Sequence, residues 1–260
     1  MVTVSRHTGQ GNSRYYLVDG DNKVDPKQRF ESVTTITNVL DKPALIPWAE
    51  GMGIQAMYDV AKQWCADNPG ILDSIESQLP MFMVQSEGAS RRKKEDAADI
   101  GTETHGIIES ILDGGKPDVP DVLTQVIESF KAFWSQANLE IIDAEVMVYS
   151  AEHGYAGTID FIAKNKTGQR WILDWKTSNG LYKETSLQLA AYGYADATMR
   201  LKPGEYIWKD LRMMAVRLGK DYPAFETKEV TNQAEAFAGF RACQGIRQWI
   251  KDMRSTEWKK

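Results

Sequence analysis

Two short stretches place acids and a lysine where they could act together. Gly157-Thr158-Ile159-Asp160 is followed, after a turn, by Ile172-Leu173-Asp174-Trp175-Lys176. In a strand, residues two apart share a face, so Asp174 and Lys176 project together while Leu173 and Trp175 turn into apolar packing. Asp160, near the start of the preceding strand, can lie beside Asp174 across the pair. Two carboxylates and an ammonium on one face are costly unless something neutralises the acids. A divalent cation does so: Mg²⁺ or Mn²⁺ prefers carboxylate, carbonyl and water oxygens. A single Asp-x-Lys is more often a solvent-facing pair of little energetic weight. Here Trp171, Leu173 and Trp175 mark a half-buried strand, a setting to which Asp is poorly suited.

Two further clusters have the spacing of helix faces. In Gly101-Thr102-Glu103-Thr104-His105-Gly106-Ile107-Ile108-Glu109, positions 101, 105 and 109 fall one turn apart. His105 offers an imidazole ligand and Glu109 another acid, although a lone helical histidine is more often structural. Glycines at 101 and 106 weaken a helix relative to Ala, which suggests close approach of backbone or ligand. Gln188 and Tyr192 repeat the four-residue spacing. An amide and a phenol so placed could hydrogen-bond a phosphodiester backbone or form an ordinary polar helix edge.

The surrounding sequence supplies elements to hold these residues. Tyr15 to Val18 reads as a strand entering the turn Asp19-Gly20-Asp21-Asn22, with Val33 to Ile36 as a second strand of a hairpin-like arrangement. Helices are expected from Trp48 to Trp64 behind Pro47, briefly between Asn68 and Gly88, and from Ala89 to Leu112. Another is expected from an Asp121 cap through the stripe Leu123, Val126, Ile127, Phe130, Phe133, Trp134 and Ala137. Glu140 to Ser150, Gly157 to Lys164 and Gln169 to Lys176 then read as consecutive strands, antiparallel because their connections are too short for a crossover helix. A helix over Ser186 to Met199 and strands at Arg212 to Leu218 and Phe225 to Val230 follow. The last helix, capped by Asn232, carries Phe237, Phe240, Cys243, Ile246 and Ile250 on one face. This is a mixed α/β or α+β plan.

Composition narrows the function classes. The 260 residues hold 31 Lys and Arg against 36 Asp and Glu, a net charge of −5. That balance argues against coating nucleic acid with a broadly basic surface, but not against a locally basic groove. Two cysteines, Cys65 and Cys243, exclude a disulfide framework, a four-cysteine zinc site and an iron–sulfur cluster held by four cysteines of this chain. No signal peptide or membrane-spanning run is apparent, so a cytoplasmic, unanchored chain is expected. There is no Walker A sequence, so ATP-driven unwinding would fall to a partner. Without a repeat or long linker, one compact unit is expected, with residues 1–88 as a hairpin and helical extension on an 89–260 core.

The motifs, in order, resemble the RecB-like branch of the PD-(D/E)XK nuclease superfamily. The pattern is Gly101–His105 in a helix, Gly157–Asp160 at a strand turn, Asp174–Lys176 in a strand and Gln188–Tyr192 in a helix, covering roughly Asp96 to Tyr194. Ser32-Val33-Thr34-Thr35-Ile36 and Lys42-Pro43-Ala44-Leu45-Ile46-Pro47-Trp48 are similar to what precedes this core in phage-encoded exonucleases. The resemblance implies a restriction-endonuclease-like core, a central mixed β-sheet flanked by helices, with a mostly helical N-terminal extension. The cysteine count puts the chain with the cluster-free members.

The resemblance also implies roles. His105, Asp160, Asp174 and the backbone carbonyl of Trp175 would hold one or two Mg²⁺ or Mn²⁺ ions, with Glu109 and Glu145 as further acids. Lys176 would orient the attacking water, and Gln188 and Tyr192 would contact the DNA backbone. Arg91, Arg92, Lys93 and Lys94 could meet phosphates, Trp48 could stack a splayed base, and the tail Trp258-Lys259-Lys260 reads as a frayed terminus. The expected activity is metal-dependent hydrolysis at DNA ends, an exonuclease of phage or bacterial recombination, repair or replication in the host cytoplasm. The partners implied are DNA and a recombinase, single-strand-binding protein or helicase, with no membrane and no oligomeric state specified. Alternatives are a structure-selective or defence-related endonuclease, another nucleic-acid target such as RNA, and a non-catalytic nucleic-acid-binding module on the same fold.

Overall fold

Ser32 marks where the N-terminal strands give way to helix. Its Oγ accepts from the Thr35 N–H at 3.0 Å, capping a five-residue helix that buries Val33 and Ile36. Val33 to Ile36 is therefore helical, where the β-branched run suggested a strand; the cap and the buried positions override local propensity. In this computed structural model, residues 2–9, 14–40, 45–68, 75–195, 197–198 and 211–254 are described.

The helices are α1 (Val33–Thr37), α2 (Leu45–Asp67), α3 (Ile75–Ser86), α4 (Ala89–Leu112), α5 (Thr124–Ala137), α6 (Glu184–Gly193) and α7 (Gln233–Arg254). The chain packs as two units, Met1–Leu40 with Thr104–Lys260, and Asp41–Glu103. The N-terminal strands belong to the larger unit. The smaller unit holds α2, α3 and the start of α4, with Trp64 set edge-on to the buried Phe82.

The larger unit is built on one mixed sheet. Its strands are β1 (Thr3–Thr8), β2 (Arg14–Asp19), β3 (Phe30–Ser32), β4 (Leu139–Ser150), β5 (Tyr155–Asn165), β6 (Arg170–Lys176), β7 (Ala197–Thr198), β8 (Arg212–Leu218) and β9 (Phe225–Glu229). They run in the order β1-β2-β3-β5-β6-β8-β9, with β4 beside β5 and β7 beside β4. Pairs β3–β5 and β6–β8 are parallel; β4, β5 and β6 are consecutive antiparallel neighbours, as their short connections require. This is the mixed α/β plan of a restriction-endonuclease-like core.

β5 has an unusual set of neighbours. β4 pairs along its whole length on one side. On the other side β3 pairs with Tyr155 and Ala156, and β6 only from Phe161 onward. Gly157 to Asp160 therefore take no strand partner there among the described residues, and the sheet opens.

Alternation on β6 separates two layers. Trp175 packs against Phe130 and Phe133 of α5 and Phe161 of β5, with ring centroids 5.6, 5.4 and 5.5 Å away. On the other side Ile172, Ile162, Met213 and Ala215 meet Leu189 and Ala191 of α6 and Phe240 and Cys243 of α7. Three further expectations need correcting. Asp121 begins a 3₁₀ turn and is no cap of α5, which starts at Thr124. α6 ends at Gly193, with Ala197–Thr198 returning as a strand beside β4, short of Met199, which lies outside the described residues. Ile246 is exposed, because the inward row of α7 continues through Arg247 and Lys251, which both bind Glu31 of β3.

Glycine matters at one of the singled-out positions and not at another. A Cβ on Gly157 would lie 2.4 Å from Tyr192 Cε1 and 3.3 Å from Val33 Cγ2, whereas one on Gly106 would meet nothing within 4 Å. No backbone of the described residues makes the close approach at Gly106. We expect Gly157→Ala to lower unfolding stability by ~1–3 kcal/mol through overpacking, and Gly106→Ala to raise it by up to ~1 kcal/mol. Urea denaturation of both variants checks this; equal effects at the two sites would contradict it.

Candidate metal centre

Asp160 ends the unpaired stretch of β5 and reaches across the opening. Its Oδ2 accepts the backbone N–H of Trp175 at 3.0 Å. That N–H belongs to the part of β6 that has only β8 beside it, since pairing with β5 stops at Leu173. The carboxylate thus satisfies a backbone group left over by the opening. Continuing the Phe161–Leu173 register sets Asp160 level with Asp174.

His105 arrives from α4. Its Nε2 lies 3.4 Å from the Trp175 carbonyl oxygen and its Nδ1 3.7 Å from Asp160 Oδ1. Glu145 arrives from β4. The pairs Ala144–Phe161 and Val146–Ile159 place it level with Asp160, yet no ladder pair forms there. Its φ is +48°, the left-handed region that a non-glycine residue rarely adopts inside a strand. Such a conformation costs ~1–3 kcal/mol and persists only where the surroundings impose it. It breaks the alternation of β4 beside Asp160. Ligand atoms of His105, Glu145 and Asp160 all lie within 4.8 Å of one another.

Asp174 is ordered from β6 itself and from α6. It is 1% exposed. Lys176 Nζ approaches its Oδ2 at 2.7 Å, and Gln188 Nε2 donates to its Oδ1 at 3.0 Å. Gln188 Nε2 also donates to the Tyr192 hydroxyl at 3.0 Å, and Gln188 Oε1 accepts from Lys176 at 3.4 Å. Tyr192 is buried and Gln188 half-buried, and their polar ends meet beside Asp174 and Lys176.

Burial and like charge govern the titration of this cluster. Burial pushes the Asp160 carboxyl up to about 7; His105, Lys176 and the Trp175 N–H oppose that rise and Asp174 adds to it. Burial also raises Glu145, with His105, Arg6 and Arg14 opposing and Glu109 adding. For Lys176, burial alone would depress the ammonium, but Asp174 and Asp160 outweigh it and hold the group above its ordinary value. Lys176 is therefore a cation and no general base at neutral pH. Burial raises the Tyr192 phenol well above its usual value, so it stays protonated.

The remaining candidates lie as follows. Glu109 is half-buried one turn beyond His105, within electrostatic reach of Glu145. Arg91, Arg92, Lys93 and Lys94 are exposed on the first half of α4 in the smaller unit; Trp48 of α2, in the same unit, is half-buried. Sequence reasoning missed Tyr16, whose hydroxyl lies 3.0 Å from Thr158 Oγ1, two residues before Asp160. The run Tyr15 to Val18 read as a strand, with nothing in it to say what Tyr16 touches.

The donor set suits a hard divalent cation: two carboxylates, an imidazole and a backbone carbonyl beside the opening. The 4.8 Å spread of the His105, Glu145 and Asp160 ligand atoms is close to the span of two metal–oxygen bonds of ~2.1 Å. His105, Glu145, Asp160 and the Trp175 carbonyl are the groups that would hold such an ion, with Asp174 beside them.

No curated protein matches the chain. Among solved structures, the crystal structure of SSO0001 is similar at 16% identity over 60% of this chain and 69% of that one, with a TM-score of 0.29, too distant to bear on the site. A family model described as PD-(D/E)XK nuclease superfamily matches residues 134–260, from the end of α5 through α7, leaving His105 outside it. With Asp160, Asp174 and Lys176 assembled at the opening of its sheet, this part of the chain is a PD-(D/E)XK nuclease superfamily domain spanning residues 134–260.

Proposed function

We propose that the chain is a divalent-metal-dependent DNA nuclease that hydrolyses phosphodiester bonds, acting at DNA ends. The observation that carries this reading is the convergence of His105, Glu145 and Asp160 beside the Asp174–Lys176 pair at one break in the sheet. A structural protein has no use for that arrangement, which costs backbone strain at Glu145 and buries two acids. A retired site would be expected to have lost one of these groups.

Each residue then has a task. A bound Mg²⁺ or Mn²⁺ supplies charge against the phosphoryl oxygen and a water acidified toward neutral pH. His105, Asp160, Glu145 and the Trp175 carbonyl would hold the ion, with Glu109 as a further acid one turn of α4 beyond His105. Asp174 is fixed by Lys176 and Gln188, so the Lys176 ammonium stays aimed at the place where water and phosphate meet. As a cation, Lys176 orients the nucleophile and offsets developing negative charge. Gln188 positions Asp174 and Lys176 together, and Tyr192 holds Gln188. In the smaller unit, Arg91 to Lys94 and Trp48 are candidates for phosphate and base contact.

The test is cleavage of end-labelled single- and double-stranded DNA, linear and circular, with Mg²⁺, Mn²⁺ or EDTA. We expect metal-dependent loss of linear DNA. Asp174→Asn and Lys176→Ala should each reduce it at least ~100-fold, and Gln188→Ala by ~10–100-fold, with native far-UV circular dichroism. Undiminished cleavage by the Asp174 and Lys176 variants would sink the site. Closed circles cut as fast as linear DNA would replace the exonuclease by an endonuclease, and cleavage confined to RNA would change the substrate.

Asp160 sets a second expectation. Its carboxyl sits at about 7 in the metal-free fold, against ~3.9 in an unfolded chain. Its contribution to stability is full below the unfolded value and is lost as pH rises through about 7. The metal-free melting temperature should therefore fall between pH 5 and pH 8, and Asp160→Asn should flatten that fall. Metal must displace the same proton, so calorimetry in buffers of different ionisation heat should read close to one proton released at pH 6 and far less at pH 8.5. Equal proton release at both pH values would contradict the assignment.

A further inference from the structure

The hairpin β1–β2 belongs to the larger unit, and nothing in the reading above gives it work. Register pairs Arg6 with Tyr16 and Thr8 with Arg14. Residues directly opposite, and those two apart, share a face, so Arg6, Thr8, Arg14 and Tyr16 line one side of the hairpin. Tyr16 docks that side on the site: its hydroxyl meets Thr158 Oγ1 at 3.0 Å, two residues from Asp160. The Arg14 N–H is held as well, donating to Thr35 Oγ1 at 3.3 Å, so the start of β2 is tied to α1.

Both arginine side chains are exposed, and neither forms an ion pair among the described residues. Other arginines of this unit are engaged: Arg247 with Glu31, Arg212 with Glu229 and Arg217 with Glu226. Arg6 and Arg14 lie within electrostatic reach of Glu145 and of Tyr16. Two unpaired guanidinium groups beside an acidic site, in a chain of net charge −5, match the need for a bidentate grip on phosphate oxygens.

We propose that Arg6 and Arg14 hold backbone phosphates of the nucleic-acid strand next to the scissile one, making the β1–β2 hairpin a substrate-positioning arm of the site. This rests on the nuclease reading. The arm acts through phosphates and carries no base preference of its own.

The test compares the full chain with Arg6→Ala/Arg14→Ala and with Arg29→Ala. Arg29→Ala is the control for loss of a nearby positive charge, since Arg29 lies over the Tyr15 ring, on the opposite side of β2. Steady-state cleavage of an oligonucleotide is measured across a salt series, with Mn²⁺ binding followed by electron paramagnetic resonance. The double variant should raise KM at least tenfold, change kcat less than threefold and leave Mn²⁺ affinity unchanged. Its binding should lose about one unit of salt slope per phosphate contact removed, while Arg29→Ala behaves as wild type. Unchanged KM and slope in a normally melting double variant would overturn the arm and leave the nuclease standing. An equal loss in Arg29→Ala would also overturn it, reducing the effect to general charge. If the double variant does not melt like wild type, Arg6→Gln and Arg14→Gln decide singly, each expected to raise KM about threefold. A wild-type chain that cuts no nucleic acid with either metal would remove the nuclease reading and the arm together.

Discussion

The hydrogen bond from the Trp175 N–H to the Asp160 carboxylate spans the break in the sheet. β5 serves β3 at one end and β6 at the other on the same side, and the two do not meet. A break of that kind leaves backbone donors and acceptors without ladder partners inside a protein, a costly condition unless side chains supply them. Asp160 satisfies the donor. The Trp175 carbonyl, left over by the same break, faces His105. One residue thus presents its backbone to the site while its indole is locked among Phe130, Phe133 and Phe161. The aromatic rings of α5 pack on the Trp175 indole and so fix where its backbone, and with it the candidate centre, stands.

Electrostatics in the site run against stability. Burial raises Asp160 and Glu145, which stand near one another and near His105. Asp174 escapes isolation through Lys176 on one oxygen and Gln188 on the other. A buried pair of this sort gives little net stability, because desolvation offsets its attraction; what it fixes is geometry. Lys176 cannot swing away without leaving Asp174 bare, and Gln188 cannot without releasing both. Proteins tend to keep destabilising arrangements where function needs them, and here three lie within one residue cluster: a strained Glu145, a protonatable Asp160 and a break in the sheet.

The part legible in the sequence was the part governed by local periodicity. Strand alternation placed Asp174 and Lys176 on one face with Trp175 on the other, and the short connections fixed the antiparallel order of β4, β5 and β6. Helical spacing placed His105 on α4. What escaped depended on tertiary context. Glu145 ranked below the other acids because a left-handed residue inside a strand has no signature in composition. Val33 to Ile36 has the composition of a strand, and only the Ser32 cap with burial of Val33 and Ile36 makes it a helix. Gln188 and Tyr192 have the spacing of a solvent-facing pair, yet burial turns them inward onto Asp174. The reason for glycine at 157 lies 35 residues away, in the ring of Tyr192.

Net charge takes on a different meaning once the acids are located. Glu109, Glu145, Asp160 and Asp174 gather around one opening against a single lysine, so without a cation the site repels phosphate. A bound divalent ion would reverse that sign locally and leave the rest of the surface acidic. If the site works as proposed, metal and nucleic acid favour each other's binding, since each lowers the electrostatic cost of the other and such coupling is reciprocal. On the nuclease reading, such a chain would draw phosphate to the ion and to the few cations near it, and not over its whole surface. On that reading, uncommitted cations within reach of the opening, rather than the total of 31 Lys and Arg, would set how a strand is held.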